Sequence, residues 1–409
     1  MQTALPDKLL QTDTGREADE ILRNCVHCGF CNATCPTYQL TGDELDGPRG
    51  RIYLIKQVLE GTPPTSKTRL HLDRCLTCRA CETTCPSGVD YHRLLDTGRE
   101  LTEQATRRPL TERLLRLALR KLLAHRSRFT LLLRSGQLLR PLLPGRLKQR
   151  IPAYRNIKAA SPGPRHRRSV LMLNGCVQPG MAPQINHAAQ QVLYALGINV
   201  VKENGDGCCG ALSFHLNASA EAKDFMRHNI DAWWPHIERG AEAIVVTASG
   251  CAPMVKDYGR LLADDFRYAR KAAQVSELAK DISEVIAAEQ PWQTLPAASA
   301  RRIAFHAPCT LQHGQRIVGV VEDMLTRLGY QLVPVANAHL CCGSAGTYSI
   351  LQDKLATPLR DNKLAALQAE DPELIATANI GCLAHMAGQA RVPVVHWVEL
   401  LSALNHQET

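Results

Sequence analysis

Two cysteine runs carry the clearest chemistry in this chain. Cys25-Val-His-Cys28-Gly-Phe-Cys31-Asn-Ala-Thr-Cys35-Pro36 and Cys75-Leu-Thr-Cys78-Arg-Ala-Cys81-Glu-Thr-Thr-Cys85-Pro86 are two complete copies of C-x2-C-x2-C-x3-C-P, the spacing that holds 4Fe-4S clusters. Three thiolates two residues apart wrap one face of a cubane, while backbone N–H groups of the tight loop point at its sulfides. The fourth cysteine points elsewhere, and in two-cluster ferredoxins it ligates the other cluster. The expected sites are therefore Cys25, Cys28, Cys31 and Cys85 for one 4Fe-4S cluster, and Cys75, Cys78, Cys81 and Cys35 for a second. Structural zinc also takes four thiolates, but its spacing is looser and has no need of this repeated pattern. His27 lies inside the first run; with four cysteines already sufficient, it reads as a solvent-edge residue that adjusts the field at the cluster.

A second constellation lies further along. Cys176 precedes Cys208-Cys209-Gly210 by 32 positions, and Cys309 precedes Cys341-Cys342-Gly343 by the same 32. Thr247-Ala-Ser-Gly-Cys251 echoes Ala378-Asn-Ile-Gly-Cys382, Leu196-Gly197 echoes Leu328-Gly329, and residues 169–173 echo 303–306. Such self-similarity marks an internal duplication. Each half gathers four thiols: Cys176, Cys208, Cys209 and Cys251 in the first, Cys309, Cys341, Cys342 and Cys382 in the second. Adjacent cysteines can both face one site only where the backbone turns sharply, which Gly210 and Gly343 permit. These thiols suit a further metal centre, zinc or iron-sulfur; they equally suit a substrate or quinone pocket without metal, or buried residues inherited with the fold. Met254 and His385 stand near them, as soft or borderline ligands or as packing.

The chain resembles the iron-sulfur subunits of glycolate oxidases (glycolate dehydrogenases) over essentially its whole length. The resemblance includes Gly42-Asp-Glu-Leu-Asp-Gly-Pro-Arg-Gly-Arg51, Asn229-Ile-Asp-Ala-Trp-Trp-Pro235 and His339-Leu-Cys-Cys-Gly-Ser-Ala-Gly346. The two halves are similar to the cysteine-rich CCG domains shared with heterodisulfide reductase and anaerobic glycerol-3-phosphate dehydrogenase subunits. The resemblance implies a multi-subunit oxidoreductase in which separate flavin-bearing subunits oxidise glycolate to glyoxylate. This chain would pass the electrons toward a membrane quinone or another acceptor. The equivalent subunit of a lactate or glycerol-3-phosphate dehydrogenase is the alternative among oxidoreductases, and a zinc-stabilised scaffold is the alternative outside them. One departure stands out: the CCG pattern ends in C-x2-C, whereas the chain reads Cys251-Ala-Pro-Met254 and Cys382-Leu-Ala-His385. A noncubane cluster of the heterodisulfide reductase kind would lack its fifth thiol in each half.

The elements that position these residues follow from periodicity. Short apolar runs at 170–173, 198–201 and 243–246 alternate with helical patterns at 182–196 and 218–234. That rhythm predicts βα units around a parallel sheet, with the cysteines at strand ends and in the loops beyond. The expected class is α/β overall, in four blocks. Residues 1–103 form a mostly helical ferredoxin-type domain with a helical pattern over 50–60; 104–168 form a basic helical linker; 169–298 and 299–409 form the two repeated α/β CCG domains.

Sixteen cysteines with a polar, acidic start in place of an export signal predict a cytoplasmic chain with reduced thiols. No apolar run reaches the roughly 20 residues of a spanning helix. Between Arg107 and Arg168 stand 18 Lys or Arg against the single acid Glu112, while the whole chain carries only +9, so the remainder is net acidic. Within that segment Leu110, Leu114, Leu117 and Leu122 alternate with Arg113, Arg116, Arg120 and Lys121. One reading lays it on anionic lipid, making the chain peripheral on the inner membrane; the other docks it on its own domains or on an acidic partner. Few aromatics and no known module argue against nucleic acid. Gly205-Asp-Gly-Cys-Cys-Gly210 fits G-x-G-x-x-G, but two of its positions are the cysteine pair and the equivalent stretch of the second half lacks the first two glycines. No flavin fingerprint or nucleophile elbow appears and no catalytic residue is expected. Hydride removal therefore belongs to a partner, because iron-sulfur clusters take single electrons.

Overall fold

In the computed structural model, which describes residues 1–142, 144, 151–153, 166–201 and 203–404, the first part of the chain is a cluster of helices. Pro48 opens the helix Pro48–Leu59, where its missing N–H needs no partner. Ile52, Ile55 and Leu59 then recur on one buried face. That face meets the helix Tyr91–Ala105. Gly98 permits the close approach, since a Cβ there would stand 2.5 Å from Ile55 Cγ1. Cys25, Cys75 and Cys81 belong to the same apolar cluster as Leu22, Leu72, Leu94 and Leu95, so the packing that orders the helices also orders the cysteine loops.

Two parallel sheets follow. Strands β1 (Arg168–Met172), β2 (Ile198–Val201), β3 (Ile244–Val246) and β4 (Ala279–Asp281) lie in the order β2-β1-β3-β4. Strands β5 (Arg302–His306), β6 (Gln331–Leu332), β7 (Leu374–Thr377) and β8 (Val394–His396) repeat that arrangement as β6-β5-β7-β8. The expected α/β repeat is therefore present in both halves. Strand β4 went unread in the sequence because Ala-Lys-Asp is not an apolar run.

The halves share one core. Val170 and Val192 of the first and Ile303, Phe305, Trp397 and Leu401 of the second form a single buried cluster. The carboxyl ends of the central strands meet across it. Ser249 N–H donates to the Ala378 carbonyl at 3.1 Å, and His396 Nε2 donates to the Thr247 carbonyl at 3.0 Å. This seam sets the cysteine loops of both halves at one end of the sheets, the end at which parallel sheets present their sites.

The basic segment forms the helices Leu110–Leu123 and Arg126–Leu139. Of the four cations singled out in the sequence, Arg116, Arg120 and Lys121 are paired with carboxylates of the chain itself, as the docking reading expects, while Arg113 stays exposed. Arg116 is buried and pairs with Glu112 at 2.9 Å and Asp73 at 3.3 Å. Arg120 and Lys121 both pair with Glu221 at 3.1 Å, and Arg108 binds Asp73 at 2.6 Å. The physical reason is the charge imbalance: a basic strap beside a net acidic body lowers its energy by docking its cations on the body's carboxylates. The leucines are left outside, with Leu110, Leu114, Leu117, Leu122, Leu131 and Leu138 all exposed. No helix among the described residues is long and apolar enough to cross a membrane.

Candidate functional site

The two cysteine runs adopt the same backbone path. His27 and Gly29 have positive φ in the first, and Thr77 and Arg79, their counterparts, do in the second. Alternating left- and right-handed residues turn successive N–H groups to one side, making a concavity suited to anions such as bridging sulfides. His27 is exposed and stacks on Tyr53, with ring centroids 6.2 Å apart.

The thiols gather in two sets. Cys25, Cys28, Cys31 and Cys85 line one cavity, bordered also by Cys81, Pro48 and Tyr91. Cys35, Cys75, Cys78 and Cys81 line a neighbouring one, together with Arg51 and Thr37. The first set lies nearer solvent: Cys28 is exposed, as are Val26 and Phe30 beside it. In the second, Cys35, Cys75 and Cys81 are buried. Burial, then the neighbouring Cys25 thiol, push Cys31 up to about 12. Burial likewise holds Cys78 and Cys81 far above the ordinary thiol range. Four convergent thiols fit metal or cluster iron, which binds the thiolate form. Each cavity supplies the four-cysteine donor set of a 4Fe-4S cluster.

Around the second set a buried charge network is built from a segment read only as part of the family resemblance. Asp46 is fully buried and accepts from His71 Nδ1 at 2.8 Å and Arg74 at 2.7 Å. Arg51, also buried, has its guanidinium 3.7 Å from Asp46 and donates to the His71 carbonyl at 2.7 Å. Thr37 Oγ1 accepts from Arg51 at 3.2 Å and lies 3.2 Å from Cys35 Sγ. A cation thus sits one hydroxyl away from a candidate ligand. An arginine and an aspartate flanking a helix start could have been singled out, but sequence cannot tell a buried pair from a surface one.

In each repeated half the four thiols form a contiguous run. Cys176, Cys208, Cys209 and Cys251 are linked thiol to thiol, as are Cys309, Cys341, Cys342 and Cys382, with 3.7 Å between Cys309 and Cys341 Sγ. Gly210 and Gly343 adopt φ of 91° and 84°, and a Cβ on Gly343 would stand 2.6 Å from the Ala356 carbonyl oxygen. Gly210 and Gly343 N–H each donate to the thiol of the first cysteine of the pair at 3.4 Å.

The second half's thiols lie against the second ferredoxin-type run. Cys341 and Tyr348 pack with Leu76, and Cys78 and Cys309 border the same cluster. Tyr348 Oη donates to the Arg74 carbonyl at 3.0 Å. Two residues absent from the sequence reading join this site. His306, fully buried and kept neutral by that burial, lies beside Cys342 and Cys382. Lys363 is buried near all four thiols. His306 was legible as the residue that replaces Leu173 between the aligned halves. Met254 packs in the first half's apolar core, and His385 Nε2 donates to the Ala356 carbonyl at 3.3 Å. The glycine-rich stretch serves packing: Asp206 is buried, accepts from Asn174 N–H at 2.7 Å and pairs with Arg126 at 3.0 Å.

Comparison with known proteins agrees with this architecture. The family described as 4Fe-4S dicluster domain matches residues 21–89, and the Cysteine-rich domain (CCG) family matches 170–256 and 303–387. A crystal structure of a hypothetical protein from Helicobacter pylori superposes with a TM-score of 0.57 at 9% identity, covering 98% of this chain and 75% of that one, a likeness of fold alone. The chain is 31% identical over 439 residues to the probable glycolate oxidase iron-sulfur subunit of Bacillus subtilis (strain 168), covering 98% of both. It is 55% identical over 408 residues to the glycolate oxidase iron-sulfur subunit of Escherichia coli (strain K12), covering 100% of both. With its helical dicluster domain and paired cysteine-rich halves, the chain belongs to the family of glycolate oxidase iron-sulfur subunits, electron-transfer components of an oxidoreductase complex.

Proposed function

We propose that this chain is a two-cluster relay in a glycolate-oxidising complex, receiving electrons from flavin-bearing subunits that convert glycolate to glyoxylate and passing them toward a membrane quinone or another acceptor. Cys25, Cys28, Cys31 and Cys85 would hold one 4Fe-4S cluster, and Cys75, Cys78, Cys81 and Cys35 the other. The reading is carried by one observation: the last thiol of each run lines the cavity of the other run's first three, Cys85 with Cys25, Cys28 and Cys31, and Cys35 with Cys75, Cys78 and Cys81. When bound, such clusters supply one-electron acceptance and donation. The protein's own part is to hold them close and at different depths. The solvent-facing loop with Val26, Cys28 and Phe30 suits exchange with a partner. The deeper set lies beside Arg51 on one side and Cys309 and Cys341 on the other.

The chain purified without oxygen should carry about eight iron and eight acid-labile sulfide atoms and be brown. By itself it should not oxidise glycolate with any artificial acceptor; activity should need the flavoprotein partners. Four iron or fewer after full reconstitution, or steady turnover by the pure chain, would overturn the assignment.

We further propose that the exposed leucines, rather than the docked arginines, hold the complex at a lipid surface. Arg113, Arg128 and Arg134 remain exposed beside them, as a helix lying in an anionic interface requires. Changing Leu114 and Leu117 to Gln should weaken co-sedimentation with anionic vesicles at least about tenfold, given the ~1.5–3 kcal/mol contributed by burying one leucine side chain. If the variant stays on vesicles but loses its partner subunits, the leucine face docks protein and the lipid reading fails.

A further inference from the structure

We propose that the second cysteine-rich half holds a zinc ion ligated by His306, Cys341, Cys342 and Cys382, and that the first half, despite its four thiols, holds none. One ring nitrogen of His306 and the Sγ atoms of Cys342 and Cys382 already lie within 4.8 Å of one another, and all three residues are buried. Tetrahedral zinc with Zn–S of about 2.3 Å and Zn–N of about 2.0 Å has ligand-to-ligand edges of roughly 3.5–3.8 Å, so a contraction of about 1 Å closes these three; Cys341, outside the convergent three, would swing in as the fourth. The Cys341 thiol contacts that of Cys342. The left-handed turn at Gly343 lets both face one point. Among the described residues, the first half has no such convergent set of three ligand atoms.

The surroundings are those of a ligand shell. The Thr377 hydroxyl oxygen stands 2.9 Å from His306 Nδ1 and orients the ring. Asn379 Nδ2 donates to Cys382 Sγ at 3.3 Å, and Gly343 N–H donates to Cys341 Sγ at 3.4 Å. Outer partners of this kind fix ligand orientation and temper thiolate charge. Zinc with three thiolates and a neutral imidazole carries a net charge of −1. Lys363, buried and held by the Asn337 and Ala338 carbonyls at 2.9 and 3.2 Å, supplies the compensating cation.

The internal duplication provides the control. Where the second half has His306 the first has Leu173, an apolar residue in its core. Gly210 abuts the Ala222 carbonyl as Gly343 abuts that of Ala356. Counting seven residues on from each alanine places Asn229 where Lys363 stands. The first half has thus neither the nitrogen ligand nor the compensating charge. The asymmetry falls on the half whose thiols pack against Leu76. A closed site of this composition is structural: it ties the end of β5, the Cys341-Cys342 turn and the helix Ile380–Ala387 into the face presented to the dicluster domain.

The inference does not depend on the cluster reading, because zinc and iron are counted separately. Metal analysis of the full chain purified without oxygen should find one zinc per chain. His306→Ala should lose it, while Cys251→Ser, in the first half, should keep it. Iron and the visible iron-sulfur absorption should be unchanged in all three. Because a buried alanine could disturb folding, His306→Cys provides the second arm. It should retain one zinc, and after cobalt replacement its spectrum should shift toward that of a four-thiolate site. Absence of zinc from the wild type, zinc retained by His306→Ala, extra iron in its place, or a cobalt spectrum unmoved by His306→Cys would each overturn the proposal.

Discussion

Cys35→Ser is expected to empty the cavity lined by Cys75, Cys78 and Cys81 while leaving the cluster of its own run in place. Iron should fall from about eight to about four atoms per chain, and the surviving electron paramagnetic resonance signal should be that of the more solvent-exposed centre. The physical argument is that Cys35 shares a cavity with the second run, beside Arg51, and does not line the cavity of Cys25, Cys28 and Cys31. Serine retains the shape of the side chain but removes the soft thiolate that iron prefers. Cys85→Ser should do the converse. Since the relay needs both centres, either variant should abolish electron delivery by the assembled complex even where the flavoprotein still reacts with glycolate. Loss confined to the mutated run's own cluster would show that ligation is not crossed.

The second large effect concerns Asp46. Its carboxylate is fully buried and gathers Arg51, His71 and Arg74. Asp46→Ala would leave Arg51, itself buried, without a counter-charge, a defect that costs about 3–5 kcal/mol when one partner of a buried pair is removed. The denaturant midpoint of the anaerobic protein should fall accordingly, with its slope unchanged. Asp46→Asn preserves the shape and separates charge from packing. Deleting a negative charge beside the deeper thiol set should raise the reduction potential of that centre relative to the exposed one. A stability loss below about 1 kcal/mol, together with an unmoved potential, would mean that the His71 carbonyl and Thr37 hydroxyl suffice for Arg51.

Much of the fold was legible because it is written in short periods. The helix expected over 50–60 is Pro48–Leu59, and those expected over 182–196 and 218–234 are Pro183–Ala195 and Ser219–Ile237. The strand at 198–201 is β2 as read. Apolar spacing specifies these elements locally, and the duplication specified that whatever fold one half takes, the other repeats. The basic segment, expected as a helical linker over 104–168, forms helices at Leu110–Leu123 and Arg126–Leu139, while 145–150 and 154–165 lie outside the described residues; its sides were not assigned by the sequence. Its leucines and arginines alternate closely enough that either face could turn inward, and the carboxylates Asp73, Glu112 and Glu221 drew in Arg116, Arg120 and Lys121.

The sequence by itself determined the thiol chemistry: eight cysteines in two complete runs, eight more in two matched sets, and no sign of a hydride-removing site. The runs are properties of neighbours within a dozen positions, where covalent spacing limits what the side chains can reach, and the matched sets are a property of the duplication. Only the tertiary structure decided which distant groups share a cavity. It brought Cys35 to the run that begins forty residues later, Arg51 to the deeper thiols, and Cys341 to Leu76 across most of the chain. It also joined His306 and Lys363 to one half's thiols. Such juxtapositions depend on how packed helices and sheets close on one another, and spacing along the chain carries no record of them.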